Sequence, residues 1–397
     1  MIASDVREAA GDPFPVVNTH VHVPPNFSAF TTVADAIATA SREGVAAMGI
    51  SNFFDQQVYA RFAEQAEAAG IVALYGLEFI TVDDDLAAAG IRVNDPANPG
   101  RMYLCGKGIA AFKRKSETAA RIAASIRSGN DERAAETVAK LADWFLTCGL
   151  DTGLTAEVIA HDVAAAAGVP TGWVSLQERH IAMAFQRVLA ELSGAERAAV
   201  LERAYGGPSK VDTDDAVALQ GELRSRLIKA GTPGFVAEVP LGFADAYRYV
   251  LEMDGIPTYP TLADGTTPAC PFEDPPERLA AQLVERGIHA AELIPIRNTS
   301  ACVDAYVKAF TDAGMIVMAG TEHNTLDRIP IEVACVDGPV SASAGRAFWE
   351  ATCVVAAHQY EVAAGRPGYV DGTGARTPVP TAVLVEIGAT LIRKENR

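Results

Sequence analysis

The 397-residue sequence contains no apolar run that approaches the ~18 residues of a membrane-spanning helix. Its opening stretch, MIASDVREAAGDPFP, carries acidic residues and lacks the apolar segment of a signal peptide. Histidine is scarce at 7 residues, and the 6 cysteines are scattered without a C-x-x-C pair. We therefore expect a cytoplasmic protein with reduced, mostly buried thiols and no disulfide framework.

Basic residues are also few. Lys and Arg total 33 against 50 Asp and Glu, which gives a formal net charge of -17. Binding to nucleic acid or to an anionic membrane needs a basic face, so neither is an expected partner. A small anionic substrate is still compatible with this charge, since a pocket can be locally positive on an acidic protein. A homo-oligomer is compatible with the sequence.

Strand and helix patterns alternate at both ends of the chain. In the N-terminal part, the helical segment TVADAIATASREG precedes the apolar strands VAAMGIS and IVALYGLEFI, and Asp55 is placed to cap the helix between them. The C-terminal part shows the same alternation of helical and strand patterns, from AYRYVLEMDG to MIVMAGTEHN. Such spacing indicates parallel strands joined by crossover helices.

The middle of the chain has a different pattern. Residues 115–230 are rich in Ala, Leu and Arg without a convincing strand, which predicts an inserted helical subdomain. The predicted division is therefore 1–114 and 231–397 for the two parts of the α/β unit, with 115–230 between them. Residues 81–106, rich in Asp, Asn, Pro and Gly, read as a loop that covers the site. Residues 331–397 could complete the barrel, cover the site or contact another subunit.

Two histidines one residue apart, in VVNTHVHVPP, are the first chemical signal. Residues two apart on a strand share a face, so His20 and His22 are spaced to bind one ion together. Glu78 in YGLEF and Glu322 in MAGTEHN also follow apolar strand segments, where a lone carboxylate is costly unless paired or coordinated. Because active sites of α/β barrels lie at the carboxyl ends of the strands, the pattern predicts a metal site.

These segments resemble the PHP (polymerase and histidinol phosphatase) superfamily, in its nucleotide-phosphatase-like branch. The landmarks, in the family's order, are NTHVH, GISNFFD, YGLEF, LQERHIAMAF, GIPTYP and MAGTEHN. The resemblance implies an α/β fold, a distorted TIM-like (β/α)7 barrel with an inserted helical subdomain. It also implies that His180 in ERHIA is a metal ligand or contacts the substrate, and that Glu322 replaces the aspartate of the last motif. An ordinary amidohydrolase also opens with H-x-H, but the ERHIA segment fits the PHP pattern better.

The chain departs from the family at several ligand positions. Asn52 and Phe53 stand where the family has Asp-His, Tyr259 replaces the histidine of A-H-P, and Asn324 replaces the final histidine. The family's trinuclear cluster therefore cannot form in its usual shape. His20, His22, Glu78 and Glu322 would still hold one divalent ion, with at most a second ion shared between Glu78 and His180. Nitrogen and oxygen donors of this kind suit Zn, Mn or Fe.

The expected function is a metal-dependent hydrolase that cleaves a small phosphate ester or carboxylate with a metal-activated water. A metal-assisted isomerase or lyase of sugar-acid type, and a non-catalytic ligand-binding protein, are the alternatives. The residues expected to act on the substrate, apart from the metal ligands, form two groups. They are His323 and Tyr259 for acid–base catalysis, and Lys107, Arg101, Arg297 and Asn324, with Lys113 nearby, for contact with the anionic group.

Overall fold

A computed structural model describes residues 14–54, 56–110, 116–238 and 240–395 of the chain. Asp55 and Lys113 lie outside the described residues. The strands within the described part are β1 Val16–Val21, β2 Val45–Phe53, β3 Val72–Val82, β4 Arg101–Lys107, β5 Leu241–Gly242, β6 Ile256–Thr261, β7 Ala290–Leu293, β8 Ile316–Ala319, β9 Ala334–Cys335 and β10 Gly338–Pro339.

The helices of the same residues are α1 Val33–Arg42, α2 Tyr59–Ala68, α3 Asp84–Ala88, α4 Glu117–Thr147, α5 Ala156–Ala167, α6 Glu178–Ala190, α7 Gly194–Tyr205, α8 Ala216–Leu223, α9 Phe243–Glu252, α10 Pro276–Glu285, α11 Ser300–Asp312, α12 Ala342–Ala363 and α13 Thr381–Glu395. None of the described helices is both long and apolar enough to cross a membrane.

Seven strands form a nearly closed barrel in the order β1-β2-β3-β4-β6-β7-β8. A parallel bridge between Val21 and Glu322 joins the two ends, supported by hydrogen bonds from His22 N to Glu322 O (2.7 Å) and from Glu322 N to His20 O (2.8 Å). Neighbouring strands are parallel except at β4, which is antiparallel to both β3 and β6. The predicted distorted TIM-like barrel is confirmed.

The barrel strands are buried on both faces because helices cover the outside. Each outer helix presents an apolar stripe, for example Leu279, Ala280 and Leu283 on α10, and these stripes pack on the outward-facing strand residues. We call the carboxyl end of the parallel strands the mouth and their amino end the floor. In barrels of this kind, the mouth carries the active site.

The C-terminal helices α12 and α13 close the floor. They pack on residues at or near the starts of the parallel strands, including Val17, Leu74, Ile256, Ala290 and Ile316. Of the three roles considered for residues 331–397, the structure therefore places these helices beneath the barrel, at the opposite end from His20 and His22.

Helices α4 to α8 build a separate layer with an apolar core of their own, which includes Leu141, Phe145, Phe185 and Leu201. The start of α4, around Ile122, packs on the barrel, and His180 on α6 contacts Phe27 in the loop after β1. The insertion thus folds around its own core beside the barrel.

The predicted loop over residues 81–106 is wrong in part, because it contains α3 and most of the barrel strand β4. The turn-forming residues lie in the segment before β4, whereas RMYLCGK itself is mostly buried. The antiparallel direction of β4 has a direct consequence for the site, since its first residue lies at the mouth and its last residue lies near the floor.

Candidate metal centre

Two imidazoles meet at the mouth end of β1. His20 and His22 are both completely buried, and their Nε2 atoms lie 3.3 Å apart. The space for His20 depends on Gly320 after β8, because a Cβ at that glycine would lie 2.2 Å from the Cβ of His20. The close approach of β8 to β1 therefore requires glycine at this position.

Glu78 from β3 completes a three-residue cluster. Its Oε2 lies 3.5 Å from His22 Nε2, and the ligand atoms of His20, His22 and Glu78 all lie within 4.8 Å of one another. Two ligands bound tetrahedrally about 2.1 Å from a zinc-sized ion are themselves about 3.4 Å apart. The observed spacings fit one such ion, and three protein ligands leave a position open for substrate or water.

Glu292 on β7 lies directly behind His20, and sequence analysis missed it. His20 Nδ1 donates to Glu292 Oε2 at 2.6 Å, and the Thr19 hydroxyl donates to Oε1 at 2.8 Å. With its proton on Nδ1, the neutral imidazole directs the lone pair of Nε2 toward the cluster. A carboxylate that holds a histidine in this way orients the ring and makes it a stronger metal ligand.

Lys107 balances the charge of Glu292. The ammonium lies 2.8 Å from Glu292 Oε1 and also donates to Ser51 Oγ and to the Thr19 carbonyl. Burial alone raises the pKa of Glu292, but Lys107 and then His20 lower it to about 2. The prediction placed Lys107 at the mouth, whereas the side chain is 2% exposed below the cluster because β4 runs antiparallel.

The carboxylate of Glu322 has other partners. Arg297 binds it in a bidentate pair, with Nη1 donating to Oε1 at 3.0 Å and Nη2 to Oε2 at 2.5 Å, and Asn324 Nδ2 donates to Oε2 at 2.6 Å. Burial raises the pKa of Glu322, but Arg297, followed by His20 and His22, lowers it. The structure therefore brings together three of the predicted ligands, and Glu322 lies beside them in an ion pair.

His180 is buried at the start of α6, in the insertion. Its Nδ1 accepts a hydrogen bond from Gln177 N at 3.1 Å, and burial lowers its pKa to about 3. Gln177 donates to Asn26 Oδ1 at 3.3 Å, and that oxygen lies 3.4 Å from His22 Nδ1. His180 therefore helps to cap α6 where the insertion contacts the loop after β1, outside the three-residue cluster.

His323 has both ring nitrogens occupied by protein groups. Nδ1 lies 2.7 Å from Thr321 Oγ1, Nε2 lies 3.0 Å from the Ile329 carbonyl, and the ring stacks on Phe30 at 4.9 Å. Burial lowers its pKa. Glu322 and His323 both have positive φ values, 61° and 50°. In this strained turn His323 is anchored in the fold, a position that favours a structural role over acid–base catalysis.

Tyr259 points to the outside of the barrel. Thr258, its neighbour on β6, lies opposite Cys105 and shares the inner face, so Tyr259 takes the outer face. Its hydroxyl donates to Glu273 Oε1 at 3.0 Å within the core that includes Phe272. This placement corrects the expectation that Tyr259 reaches the substrate.

Several cations surround the mouth. Arg101, at the start of β4, pairs with Glu238, which also lies 3.1 Å from Arg133 Nη2. Glu178 on α6 pairs with Arg133 and with Arg224, at 3.5 and 3.4 Å. The predicted substrate residue Arg101 is therefore already neutralised by a carboxylate.

Arg179, which sequence analysis did not single out, is different. Its guanidinium lies 6.0 Å from the centre of the Phe27 ring and makes no hydrogen bond or salt bridge with any described residue. Burial and then Arg224 lower its pKa to about 10, Arg297 acts in the same direction, and Glu322 opposes them. Partly buried cations without a counter-ion are costly, which makes Arg179 a candidate for binding an anion.

Phe53 occupies the space beside the cluster where the PHP pattern has a ligand. Its ring stacks on His22, with ring centres 5.0 Å apart. Asn52, the other departure on β2, uses its amide to bond both Val23 N and Val23 O at 2.9 Å. Neither residue offers a carboxylate or imidazole, and this supports a site for one ion.

Comparison of the sequence with protein-family models and with curated proteins gives no match. Solved structures do match. A proposed metal-dependent phosphoesterase from Bifidobacterium adolescentis aligns with a TM-score of 0.58 and 13% identity, covering 86% of this chain and 98% of that chain. An amidohydrolase from Chromobacterium violaceum, solved with sulfate and no metal, aligns with a TM-score of 0.52 and 16% identity, covering 82% and 99%.

At these identities the likeness shows the fold. The chain shares the fold of these two structures, and this agrees with the TIM-like barrel that the PHP resemblance implied. Together with the cluster of His20, His22 and Glu78, the fold supports a site for a divalent metal ion.

Proposed function

We propose that this protein is a metal-dependent hydrolase that cleaves a small anionic substrate, a phosphate ester or a carboxylate derivative, at the mouth of the barrel. The observation that carries the proposal is the spacing of His20, His22 and Glu78, which fits a single ion with one open position. A non-catalytic role is disfavoured, because burying three such groups together is costly unless they bind something.

The ion would be Zn, Mn or Fe, held by His20, His22 and Glu78, and when bound it would activate water and neutralise charge on the substrate. Glu292 keeps the Nδ1 proton on His20, so that Nε2 is always presented as a ligand. The burial of both imidazoles limits competing water. One ion is expected, with a second at most.

The anionic character of the substrate is supported by Arg179. Arg179 has no counter-ion among the described residues, and Arg297 lies on the same side of the site, bound to Glu322. A phosphate or carboxylate group would supply the charge that Arg179 lacks, with a geometry that guanidinium groups recognise well. We further propose a cytoplasmic location and a small-molecule substrate, with a homo-oligomer as a compatible assembly.

The experiment that tests this function combines metal analysis with a substrate screen. Purified protein should contain, or take up after EDTA treatment, about one transition metal ion per chain, measured by mass spectrometry. The loaded protein should release phosphate from a panel of phosphate esters, or hydrolyse carboxylate esters and amides. Sugar acids serve as probes of isomerase or lyase chemistry.

Matched variants make the result specific. Glu78→Gln keeps the shape of the side chain and should abolish both metal uptake and hydrolysis. Glu64→Gln changes an exposed glutamate on α2 and should change neither. Protein that binds no metal, or a Glu78→Gln variant that binds it normally, would refute the proposal.

A further inference from the structure

The inner face of β4 presents one side chain at each depth of the barrel. Residues two apart on a strand share a face, so Arg101, Tyr103, Cys105 and Lys107 all point inward, from mouth to floor. Cys105 lies opposite Glu78 in the β3–β4 register, at the level of the metal cluster. Tyr103 therefore lies one step closer to the mouth than the ligands.

The backbone of Tyr103 is held firmly in that position. Its N–H donates to Asn94 Oδ1 at 2.7 Å, and Asn94 Nδ2 donates both to the Tyr103 carbonyl at 3.1 Å and to the Pro260 carbonyl at 2.7 Å. Its partner on β3 is Ile80, whose apolar side chain cannot hydrogen-bond to the phenol. These bonds fix the backbone of Tyr103, so that its phenol points into the barrel, and they do not involve the hydroxyl.

The phenol group faces the charged groups of the site. Burial raises the pKa of Tyr103, and Glu78, followed by Asp95, raises it further, while Arg101 lowers it. The side chain is half-buried, and its hydroxyl makes no hydrogen bond with another described residue. A half-buried hydroxyl without a protein partner beside a metal cluster is a donor that a substrate can use.

We propose that Tyr103 is a catalytic residue that donates a hydrogen bond to the leaving-group oxygen of the substrate. This inference rests on the proposed hydrolase function. The departing part of a substrate held at His20, His22 and Glu78 extends toward the mouth, where Tyr103 lies. In the hydrolysis of an ester, the oxygen of water bonds to the phosphorus or carbonyl carbon as the bond to the leaving group breaks. The proton lost by that water ends on the leaving-group oxygen, and Tyr103 keeps its own.

The hydrogen bond matters most when the leaving group is poor, because more negative charge then develops on its oxygen. The test compares phenyl phosphate, a poor leaving group, with p-nitrophenyl phosphate, a good one. Tyr103→Phe should lower kcat for phenyl phosphate about 100-fold, the effect of losing one donor to a developing oxyanion. It should lower kcat for p-nitrophenyl phosphate about threefold at most and leave the metal content unchanged.

The matched control is Tyr360→Phe, since Tyr360 is 51% exposed on α12 beneath the barrel. It should leave both rates unchanged. Equal losses on the two esters, or no loss on either, would overturn the assignment of Tyr103, since a purely structural role does not depend on the leaving group.

A binding measurement separates failure of this inference from failure of the proposed function. In zinc-loaded protein with ¹³C-labelled tyrosine, the Cζ resonance of Tyr103, assigned with Tyr103→Phe, should shift on addition of O-phenyl phosphorothioate, a slowly hydrolysed analogue that keeps the leaving-group oxygen. If the wild type hydrolyses neither ester but the resonance shifts, the phosphoesterase proposal fails and the contact stands. If the esters are hydrolysed but the resonance does not shift, the role of Tyr103 is refuted.

Discussion

Removal of the Lys107 ammonium should destabilise the barrel strongly, because among the described residues Lys107 is the lysine or arginine that pairs with Glu292. The pKa of Glu292, about 2 against an ordinary value of 4.5, corresponds to about 3 kcal/mol of stability at neutral pH. Loss of one partner of a buried ion pair costs about 3–5 kcal/mol in general. We therefore expect Lys107→Met, which preserves the bulk of the side chain, to lower the free energy of unfolding by about 3 kcal/mol.

The pH dependence of this effect follows from the sign of the pKa change. A carboxyl whose pKa is lower in the folded state stabilises the protein above about pH 4.5, and this stability is lost as the pH falls toward 2. Without Lys107 the pKa of Glu292 rises, so the folded variant takes up a proton more easily. The difference between wild type and Lys107→Met should therefore be largest at pH 8 and smaller at pH 5.

Urea unfolding of metal-free protein measures the effect, and a tryptophan of the barrel can report it. The chain has 3 tryptophans, and Trp349 on α12 is 1% exposed in the core beneath the barrel. With Trp144 and Trp173 of the insertion replaced by phenylalanine, the fluorescence of Trp349 follows the barrel alone. Lys308→Met, at a lysine whose side chain is 75% exposed, is the control and should cost less than about 0.5 kcal/mol.

A loss below about 1 kcal/mol at pH 8, or a loss that does not change with pH, would refute the reasoning. Either result would mean that the charge of Glu292 is compensated without Lys107. The expected result would establish that the layer below the metal cluster carries a permanent, buried ion pair.

Three further changes test other parts of the site. Glu292→Gln should weaken metal binding about 10- to 100-fold, measured by competition with a chelator, because the His20 ring loses its carboxylate partner. Arg179→Met should raise KM for an anionic substrate about tenfold or more, consistent with a charged hydrogen bond of about 1.5–3 kcal/mol, whereas Arg187→Met on the exposed side of α6 should not. Burial raises the pKa of Glu273 to about 7, so the contribution of Glu273 to the free energy of unfolding should fall by about 3 kcal/mol from pH 4.5 to 7, and the difference between wild type and Glu273→Gln in urea unfolding should show this change.

Each of these three predictions has an outcome that would contradict it. Unchanged metal affinity in Glu292→Gln would show that His20 needs no orienting partner. An equal rise in KM for both arginine variants would assign the effect to general surface charge. A pH profile of Glu273→Gln that is parallel to the wild type would show that Glu273 is ionised throughout.

The alternation of strands predicted the central part of the site from the sequence. His20 and His22 share a face because they are two apart, and Glu78 stood out as a lone carboxylate in an apolar strand. The same signal could have identified Glu292, since AAEL is a fully buried strand with one acid. The rule that site residues lie at strand ends excludes Glu292, because Glu292 lies inside β7.

The remaining errors have physical causes. The turn-forming residues before β4 predict a loop there, and the antiparallel direction of β4 puts Lys107 near the floor instead of the mouth. Sequence spacing also cannot reveal that the turn at Glu322 and His323 adopts positive φ, which turns His323 toward Ile329. Pairings such as Arg297 with Glu322 depend on tertiary contacts between distant segments.

The position of α12 and α13 under the barrel has a consequence for the order in which the protein matures. The apolar strand starts that these helices cover, such as Val17 and Ile316, are synthesised long before residues 342–393 leave the ribosome. Until then this surface stays in contact with water or with a chaperone. The last seventh of the chain therefore closes the floor of the barrel, and a polypeptide that stops short of Ala342 would leave this apolar surface uncovered.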